Sequence, residues 1–259
     1  MATSRAGARG QPPLAAYVLH GWDWSESSLI LDVFTREQGR IVVAARGAKK
    51  PTSSLHPVLL PFHALTLWLT RPAADAQGEV RTLRAAEWGG SAPLPAGALM
   101  PAFYLNELVM KGLARQDPHP RLFDAYVDTL EALAAGVAAD EPAALRAFEL
   151  VFLRELGVLP DLALVTLTVA PLAAEARYTL RPEIGLAPDA EGPSGAAWTE
   201  LQAALAHGSM AALRHACRPI AAALRAPLRS LVHYHLGTAR LRTREVWLEM
   251  QRLAEPATR

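Results

Sequence analysis

The chain has very little cysteine and no long hydrophobic run. Cys217 is its single cysteine, which excludes an intrachain disulfide and a zinc site built from several thiolates. Every apolar run is broken well before the roughly 18 residues that a membrane helix needs. Residues 1–13 contain Arg5 and Arg9 but no apolar stretch like that of a secretory signal. We therefore expect a cytoplasmic protein with no membrane contact, in which residues 1–13 form a disordered tail.

Acidic residues are scarce in two parts of the chain, although the net charge is only +1. Residues 1–90 hold 10 Lys and Arg against 7 Asp and Glu, whereas the remainder holds 16 against 18. Residues 201–244 contain seven arginines and no acid at all. The excess of positive charge is therefore local, and local positive charge favours a polyanionic partner.

The first part of the chain alternates apolar and polar residues with a period of two. Leu29, Leu31 and Val33 share one face of a predicted strand, and similar runs occupy residues 41–45 and 65–69. Residues 14–90 contain five such short strands, which is the size of the barrel used by many oligonucleotide-binding (OB) domains. We predict an OB-type barrel there, with a generic antiparallel barrel as the alternative.

The apolar period becomes helical after residue 91. Leu105, Leu108 and Val109 share one helical face, and later segments up to about residue 254 repeat this pattern. Residues 158–195 differ, because prolines interrupt their short apolar pieces, and we expect an irregular insertion. The predicted fold class is α+β: a five-stranded OB-type barrel over 14–90, then a helical domain over 91–259 with a zinc-free insertion.

The strand-turn-strand pattern of residues 34–50 carries most of the positive charge of the barrel. It ends in a loop, residues 46–50, with a glycine and two lysines, and we expect this loop to take no part in the apolar core. Cations on a small β-rich module are typical of proteins that bind single-stranded nucleic acid. The predicted DNA-binding residues of this domain are Arg36, Arg40, Arg46, Lys49, Lys50, Arg71 and Arg81.

Four arginines of the helical domain follow a regular spacing. Arg214, Arg218, Arg225 and Arg229 lie at intervals of four, seven and four residues, and one continuous helix would place them along one side. We predict a second DNA-binding surface from these residues. In the alternative interpretation they lie on a solvated helix face and pair with the acidic residues of the preceding helices.

The sequence contains no clear motif for catalysis, nucleotide hydrolysis or metal binding. Residues 47–52 hold a glycine and two lysines but lack the order G-x-x-x-x-G-K-[ST] of a nucleotide-binding loop. His233 and His235 are two residues apart, so a helix points them in different directions. We expect no enzyme activity, cofactor or metal. For Trp22 and Trp24, stacking on bases and packing within the protein both remain open.

Several short segments stand in a characteristic order and spacing along the chain. They are residues 18–19, 25–29, 34–40, 46–50, 60–62, 104–108, 122–123, 155–162 and 241–244. In these segments the chain resembles the RecO family of bacterial recombination mediators, and the likeness covers most of the chain. RecO proteins have an N-terminal OB-type barrel and a helical domain. Many members also carry a four-cysteine zinc site just after a Leu-Gly-x-x-Pro-Asp-Leu segment, and this chain has that segment at 156–162 without the cysteines.

The resemblance implies a function in recombinational DNA repair. It implies binding of single- and double-stranded DNA, annealing of complementary strands, and loading of the RecA recombinase onto DNA coated with single-stranded-DNA-binding protein. RecR and the single-stranded-DNA-binding protein are the implied protein partners, and the implied location is cytoplasmic and nucleoid-associated. An RNA-binding or ribosome-associated factor is the alternative, because phosphates of RNA and DNA look alike. A small hydrolase or transferase is a further alternative that no motif supports.

Overall fold

Two compact units make up the chain in the computed structural model, which describes residues 12–70, 80–237 and 241–254. The first unit contains the described residues up to 91 together with 114–120, and the second contains 92–113 and the residues from 121 onward. Almost all of the predicted tail lies outside the described residues.

The first unit is a closed β-barrel, which confirms the predicted fold. Around the barrel the strands follow the order β1-β2-β3-β5-β4, and β4 pairs with β1 to close it. Neighbours are antiparallel except for β3 and β5, which run parallel. The strands are β1 Leu14–Asp23, β2 Leu29–Thr35, β3 Gly39–Ala45, β4 Leu65–Leu69 and β5 Val80–Trp88.

Apolar side chains at alternate positions fill the barrel, as the period of two predicts. Leu31, Val33 and Val43 belong to this core and are almost fully buried. Ala48 belongs to it as well, so the expectation that the loop 46–50 takes no part in the core is wrong. The other face of β2 and β3 is buried too, which the alternation does not predict. Residues 114–120 return to the barrel beside β3, where the Gln116 amide donates to the Arg40 carbonyl at 2.8 Å. Gly39 has a positive φ of 66°, and a Cβ there would lie 2.0 Å from the Asp117 carbonyl oxygen, so the return needs a glycine.

The second unit is mainly helical. Its core buries side chains such as Leu105, Tyr126 and Phe148. Ser194 and Ser209 begin two of the helices by accepting hydrogen bonds from backbone amides three residues on, at 3.3 Å each. The helices are α1 Leu99–Gly112, α2 Pro120–Ala134, α3 Glu141–Glu155, α4 Gly195–His207, α5 Met210–Cys217, α6 Ala221–His235 and α7 Arg242–Ala254.

The insertion between α3 and α4 contains two small hairpins rather than purely irregular chain. One pairs β6 Leu164–Val165 with β7 Ala170–Pro171, and the other pairs β8 Tyr178–Arg181 with β9 Gly185–Pro188. This segment has none of the thiolates that the zinc site of many RecO proteins needs, so the residues present do not fit that metal.

Hydrogen bonds and close packing hold the insertion. The buried Trp198 indole donates to the Tyr178 carbonyl at 2.9 Å, and the Thr166 hydroxyl accepts from the Leu186 amide at 2.8 Å. At Gly192 a Cβ would lie 1.9 Å from the Tyr178 carbonyl oxygen, so only a glycine permits this approach. The Thr166–Leu186 bond joins the two hairpins, and the Trp198 bond joins the second hairpin to α4.

No helix in the described part of the chain is long and apolar enough to cross a membrane.

Candidate nucleic-acid interface

Two loops meet at one end of the barrel and bring three of the predicted cations together. Residues 24–28 join β1 to β2, and residues 46–50 follow β3; we call them the basic loop pair. The Lys49 amide donates to the Ser27 carbonyl at 3.0 Å, and the Gly47 amide donates to the Ser28 hydroxyl at 3.4 Å. The first contact joins backbone groups only and the second uses the Ser28 side chain, and together they hold the two loops next to each other.

An open depression of about 450 Å³ lies between the two loops. Arg46 and Lys50 line it together with Trp24 and three serines. Within the part of the chain that the structure describes, neither Arg46 nor Lys50 forms a salt bridge. Their charges are therefore available to an anion from solvent.

Lys49 is paired with an acid beside the same depression. Its ammonium nitrogen lies 2.9 Å from a carboxylate oxygen of Asp23, at the end of β1, and 3.4 Å from the Ser25 carbonyl oxygen. The Asp23 side chain is 74% exposed and the Lys49 side chain 26%, so water screens this pair mainly from the side of Asp23. Exposed ion pairs contribute only about 0–1 kcal/mol, so a phosphate can compete with Asp23 for Lys49.

Arg36 and Arg40 lie at the opposite end of the barrel. Arg36 follows β2 in the turn to β3, whereas the basic loop pair adjoins the start of β2 and the end of β3. At about 3.3 Å per residue, the seven residues of β2 separate the two ends by about 20 Å. The cations of residues 34–50 therefore do not form one continuous surface.

The guanidinium of Arg40 is bound to a buried carboxylate. Its Nε lies 2.9 and 3.0 Å from the two Asp32 oxygens, and its Nη2 lies 2.8 Å from one of them. Asp32 is fully buried and the Arg40 side chain is only 16% exposed. This geometry gives Arg40 a structural partner, and contact between Arg40 and DNA stays a prediction.

The two remaining predicted cations of the barrel, Arg71 and Arg81, do not belong to the basic loop pair. Arg81 lies near the start of β5, opposite Val43, and is half-buried. Arg71 lies outside the described residues, in the connection between β4 and β5. In OB barrels that connection and the β1–β2 loop are the usual binding loops.

The four regularly spaced arginines of the helical unit do not lie on one helix. A short 3₁₀ turn, Arg218–Ile220, with Pro219 inside it, separates α5 from α6. Residues four or seven apart share a side only within each of these helices, not across the turn. Arg214 donates to the Asp128 carbonyl at 3.3 Å, and Arg218 lies 2.8 Å from Asp140. The Arg218 contact favours the alternative interpretation, in which the arginines pair with acidic residues of the preceding helices, whereas Arg214 contacts a backbone carbonyl.

Burial raises the pKa of Glu149 of α3, and the charges of Arg225 and Arg229, four residues apart on α6, oppose part of that rise. Arg146, 2.8 Å from Glu149, opposes the rise in pKa as well. Tyr104 donates to Glu149 at 2.7 Å, and burial followed by the charge of Glu149 raises the pKa of Tyr104. Glu149 thus attracts arginines for reasons internal to the helical unit.

A second depression, of about 330 Å³, lies among α2, α3, α4 and α5. Arg121 and Arg154 line it alongside Asp124, Asp128 and Glu155. Because positive and negative charges both line this depression, it does not favour the binding of a polyanion. Among the described residues there is also no group of three His, Cys, Asp or Glu side chains that could hold a metal.

Fold and site together define the class: an OB-type barrel with a basic loop pair, joined to a helical unit. Residues 14–91 match the family described as "Recombination protein O N terminal", and residues 97–245 match "Recombination protein O C terminal". The chain belongs to the RecO family.

Proteins named DNA repair protein RecO are similar in sequence to this chain over nearly its whole length. The DNA repair protein RecO of Variovorax paradoxus (strain S110) is 51% identical over 253 residues, which cover 92% of this chain and 96% of the relative. That of Verminephrobacter eiseniae (strain EF01-2) is 48% identical over 246 residues, with the same coverage. That of Polaromonas sp. (strain JS666 / ATCC BAA-500) is 47% identical over 259 residues, covering 98% of this chain and 100% of the relative.

Proposed function

We propose that this chain is a DNA-binding recombination mediator in recombinational repair. It anneals complementary single strands and, with RecR, helps to load RecA onto DNA coated with single-stranded-DNA-binding protein. It works in the cytoplasm, in association with the nucleoid. Binding and release of strands are the whole mechanism, and no chemical bond changes.

The basic loop pair is the observation that carries this proposal. Arg46 and Lys50 line an open depression, Lys49 adjoins it, and hydrogen bonds from the Lys49 and Gly47 amides hold the two loops together. A DNA strand that lies there releases counterions from its phosphates, which supplies affinity without reading the sequence. Lack of sequence preference is what a protein needs if it is to pair arbitrary strands.

Annealing also requires that two strands be held near each other. Charge neutralisation lowers the repulsion between their phosphates, and a second cationic surface would hold the second strand. Arg225 is exposed on α6 and is the member of the arginine set best placed for this role, whereas Arg214 and Arg218 already contact the preceding helices.

The test is a binding and annealing comparison on the full chain. Fluorescence anisotropy would measure affinity for single-stranded DNA, duplex DNA and RNA of matched sequence, over a salt series. A fluorescence-transfer assay would measure annealing of complementary strands at equal concentrations of protein and DNA. The test variant neutralises the cations of the basic loop pair by substituting glutamine at Arg46, Lys49 and Lys50. A control variant removes three other exposed charges by the same substitution at Arg84, Arg121 and Arg252.

We expect the test variant to bind DNA more weakly and to anneal more slowly than the control. Tighter binding to RNA than to single-stranded DNA would favour the RNA-binding alternative. Turnover of a substrate by catalytic amounts of protein would favour an enzyme. Equal annealing by the two variants would contradict the assignment of the basic loop pair.

A further inference from the structure

Trp24 is an exposed aromatic residue at the edge of the cationic depression. Its side chain is 57% exposed, and it shares the lining of that depression with Arg46 and Lys50. Its backbone amide donates to the Ser28 carbonyl at 3.1 Å, and the Ser25 amide donates to the same carbonyl at 3.4 Å. These hydrogen bonds hold the backbone of the loop that carries Trp24, so the residue is presented from a structured turn.

Packing within the protein does not account for Trp24. The neighbouring Trp22 packs edge-on against His20, with ring centroids 4.5 Å apart. Trp24 has no such ring partner among the residues that the structure describes, and more than half of its large apolar surface remains in water. Burial of that surface by a ligand is favourable, since an aromatic side chain contributes strongly when it leaves water.

The surroundings of Trp24 fit one kind of ligand. A flat apolar ring favours another flat ring, while Arg46 and Lys50 beside it favour anions. A nucleotide with an unpaired base carries both groups, and base–aromatic stacking together with a positively charged groove is how many proteins hold single strands. In a duplex the base faces are already stacked on their neighbours and cannot reach the indole.

We propose that Trp24 stacks on an unpaired base of a strand whose flanking phosphates are held by Arg46 and Lys50, which makes this end of the barrel selective for single strands. The inference rests on the proposed DNA binding and deepens it. It assigns to Trp24 a preference for single strands over duplex DNA, which positive charge alone does not provide.

Substitution of Trp24 by alanine tests the inference. Stacking on an aromatic side chain is worth about 1–3 kcal/mol per base, so affinity for single-stranded DNA should fall about 5- to 150-fold. Affinity for duplex DNA should stay the same. The slope of log affinity against log salt should also stay the same, because no phosphate contact is lost. Lys50→Gln should instead flatten that slope by about 0.7, the value of one phosphate contact on a single strand.

Trp88 supplies a matched control. It is 59% exposed at the end of β5, where it pairs with Leu65, and it is not among the residues that line the cationic depression. Trp88→Ala should leave both affinities unchanged, and Trp24→Phe should keep most of the affinity because phenylalanine also stacks. The Trp24→Phe variant keeps the test informative even if the alanine variant folds poorly.

Three results would overturn the inference: unchanged affinity of Trp24→Ala for single strands, an equal loss on duplex DNA, or an equal loss in Trp88→Ala. Failure of the proposed function has a different signature. If the wild-type chain binds RNA more tightly than DNA while Trp24→Ala loses single-strand affinity with an unchanged salt slope, the stacking role stands and the DNA-repair role does not. If the wild-type chain binds no single strand, both fail.

Discussion

Asp32→Ala should destabilise the barrel far more than the loss of a surface ion pair would. The Asp32 carboxylate is fully buried and contacts the Arg40 guanidinium at three distances between 2.8 and 3.0 Å. Removal of the carboxylate leaves the positive charge of Arg40 largely buried without its counterion. One-sided removal of a buried pair costs about 3–5 kcal/mol, against about 0–1 kcal/mol for an exposed pair.

Hydrogen exchange of the barrel amides is the appropriate assay, because it reads each unit of the chain separately. At about 1.4 kcal/mol per tenfold, the expected loss speeds exchange in β2 and β3 roughly 100- to 4,000-fold. Arg40→Met should be similarly harmful, since it leaves Asp32 buried and unpaired. The double variant Asp32→Leu with Arg40→Met should recover much of the stability, because an apolar pair can replace a buried ion pair.

The double variant also separates the structural role of Arg40 from a role in DNA binding. If it is stable and binds single-stranded DNA as the wild type does, Arg40 acts within the barrel. If it is stable but binds DNA much more weakly, Arg40 contacts DNA. A loss below 1 kcal/mol in Asp32→Ala, or no recovery in the double variant, would refute the reasoning about the buried pair.

Three further predictions concern single ionisable groups. Asp23→Asn should release Lys49 and raise affinity for single-stranded DNA by up to about fivefold, as a binding titration would show; weaker binding would contradict the competition between Asp23 and phosphate. Burial raises the pKa of the Cys217 thiol to about 12, so at pH 8 its thiolate should be about 1,000-fold rarer than that of an ordinary cysteine. Alkylation should be slow until denaturant is added, and rapid labelling of the folded chain would contradict this. Burial opposes ionisation of Glu107, but hydrogen bonds from Thr243 and the first turn of α7 outweigh it and lower the pKa of Glu107 below its ordinary 4.5. The contact between Glu107 and α7 should therefore be complete above pH 4.5 and weaken as the pH falls through the lowered pKa. Glu107→Gln should weaken the same contact at neutral pH, which would show as faster hydrogen exchange of the α7 amides. If neither acid nor the substitution changes the exchange of these amides, the proposed role of Glu107 is contradicted.

The barrel and the helices were predictable because their signals are local. Alternation of apolar residues such as Leu29, Leu31 and Val33 marks a strand without knowledge of its neighbours, and a barrel built from such strands buries them. The insertion was harder, because its two hairpins depend on contacts of Tyr178 and Thr166 with residues distant in the sequence.

The grouping of the cations was not predictable from their positions along the chain. Arg40 lies opposite Phe34, and Asp32 lies opposite Val42, so the two charged residues are diagonal neighbours on one face of the β2–β3 pair. That relation follows only once the register of the hairpin is known. The turn between β2 and β3 likewise sends Arg36 to the end of the barrel away from Lys50, although the two are close in sequence.

The break between α5 and α6 shows the same limit in the helical unit. Pro219 was visible in the sequence, and a proline can either begin a helix or kink it. The structure has a 3₁₀ turn at that point, so Arg214 and Arg225 belong to separate helices. Spacing rules hold within one helix and fail across such a break.

The central claim is that the cations of the basic loop pair hold DNA phosphates. The most direct measurement is the slope of log affinity for single-stranded DNA against log salt concentration, in the wild type and in the variant with glutamine at Arg46, Lys49 and Lys50. If each of the three contacts one phosphate, the slope should become shallower by about 2 in the variant, at about 0.7 per contact. The control variant with glutamine at Arg84, Arg121 and Arg252 should keep the wild-type slope. Equal slopes in the wild type and the loop variant would contradict the account.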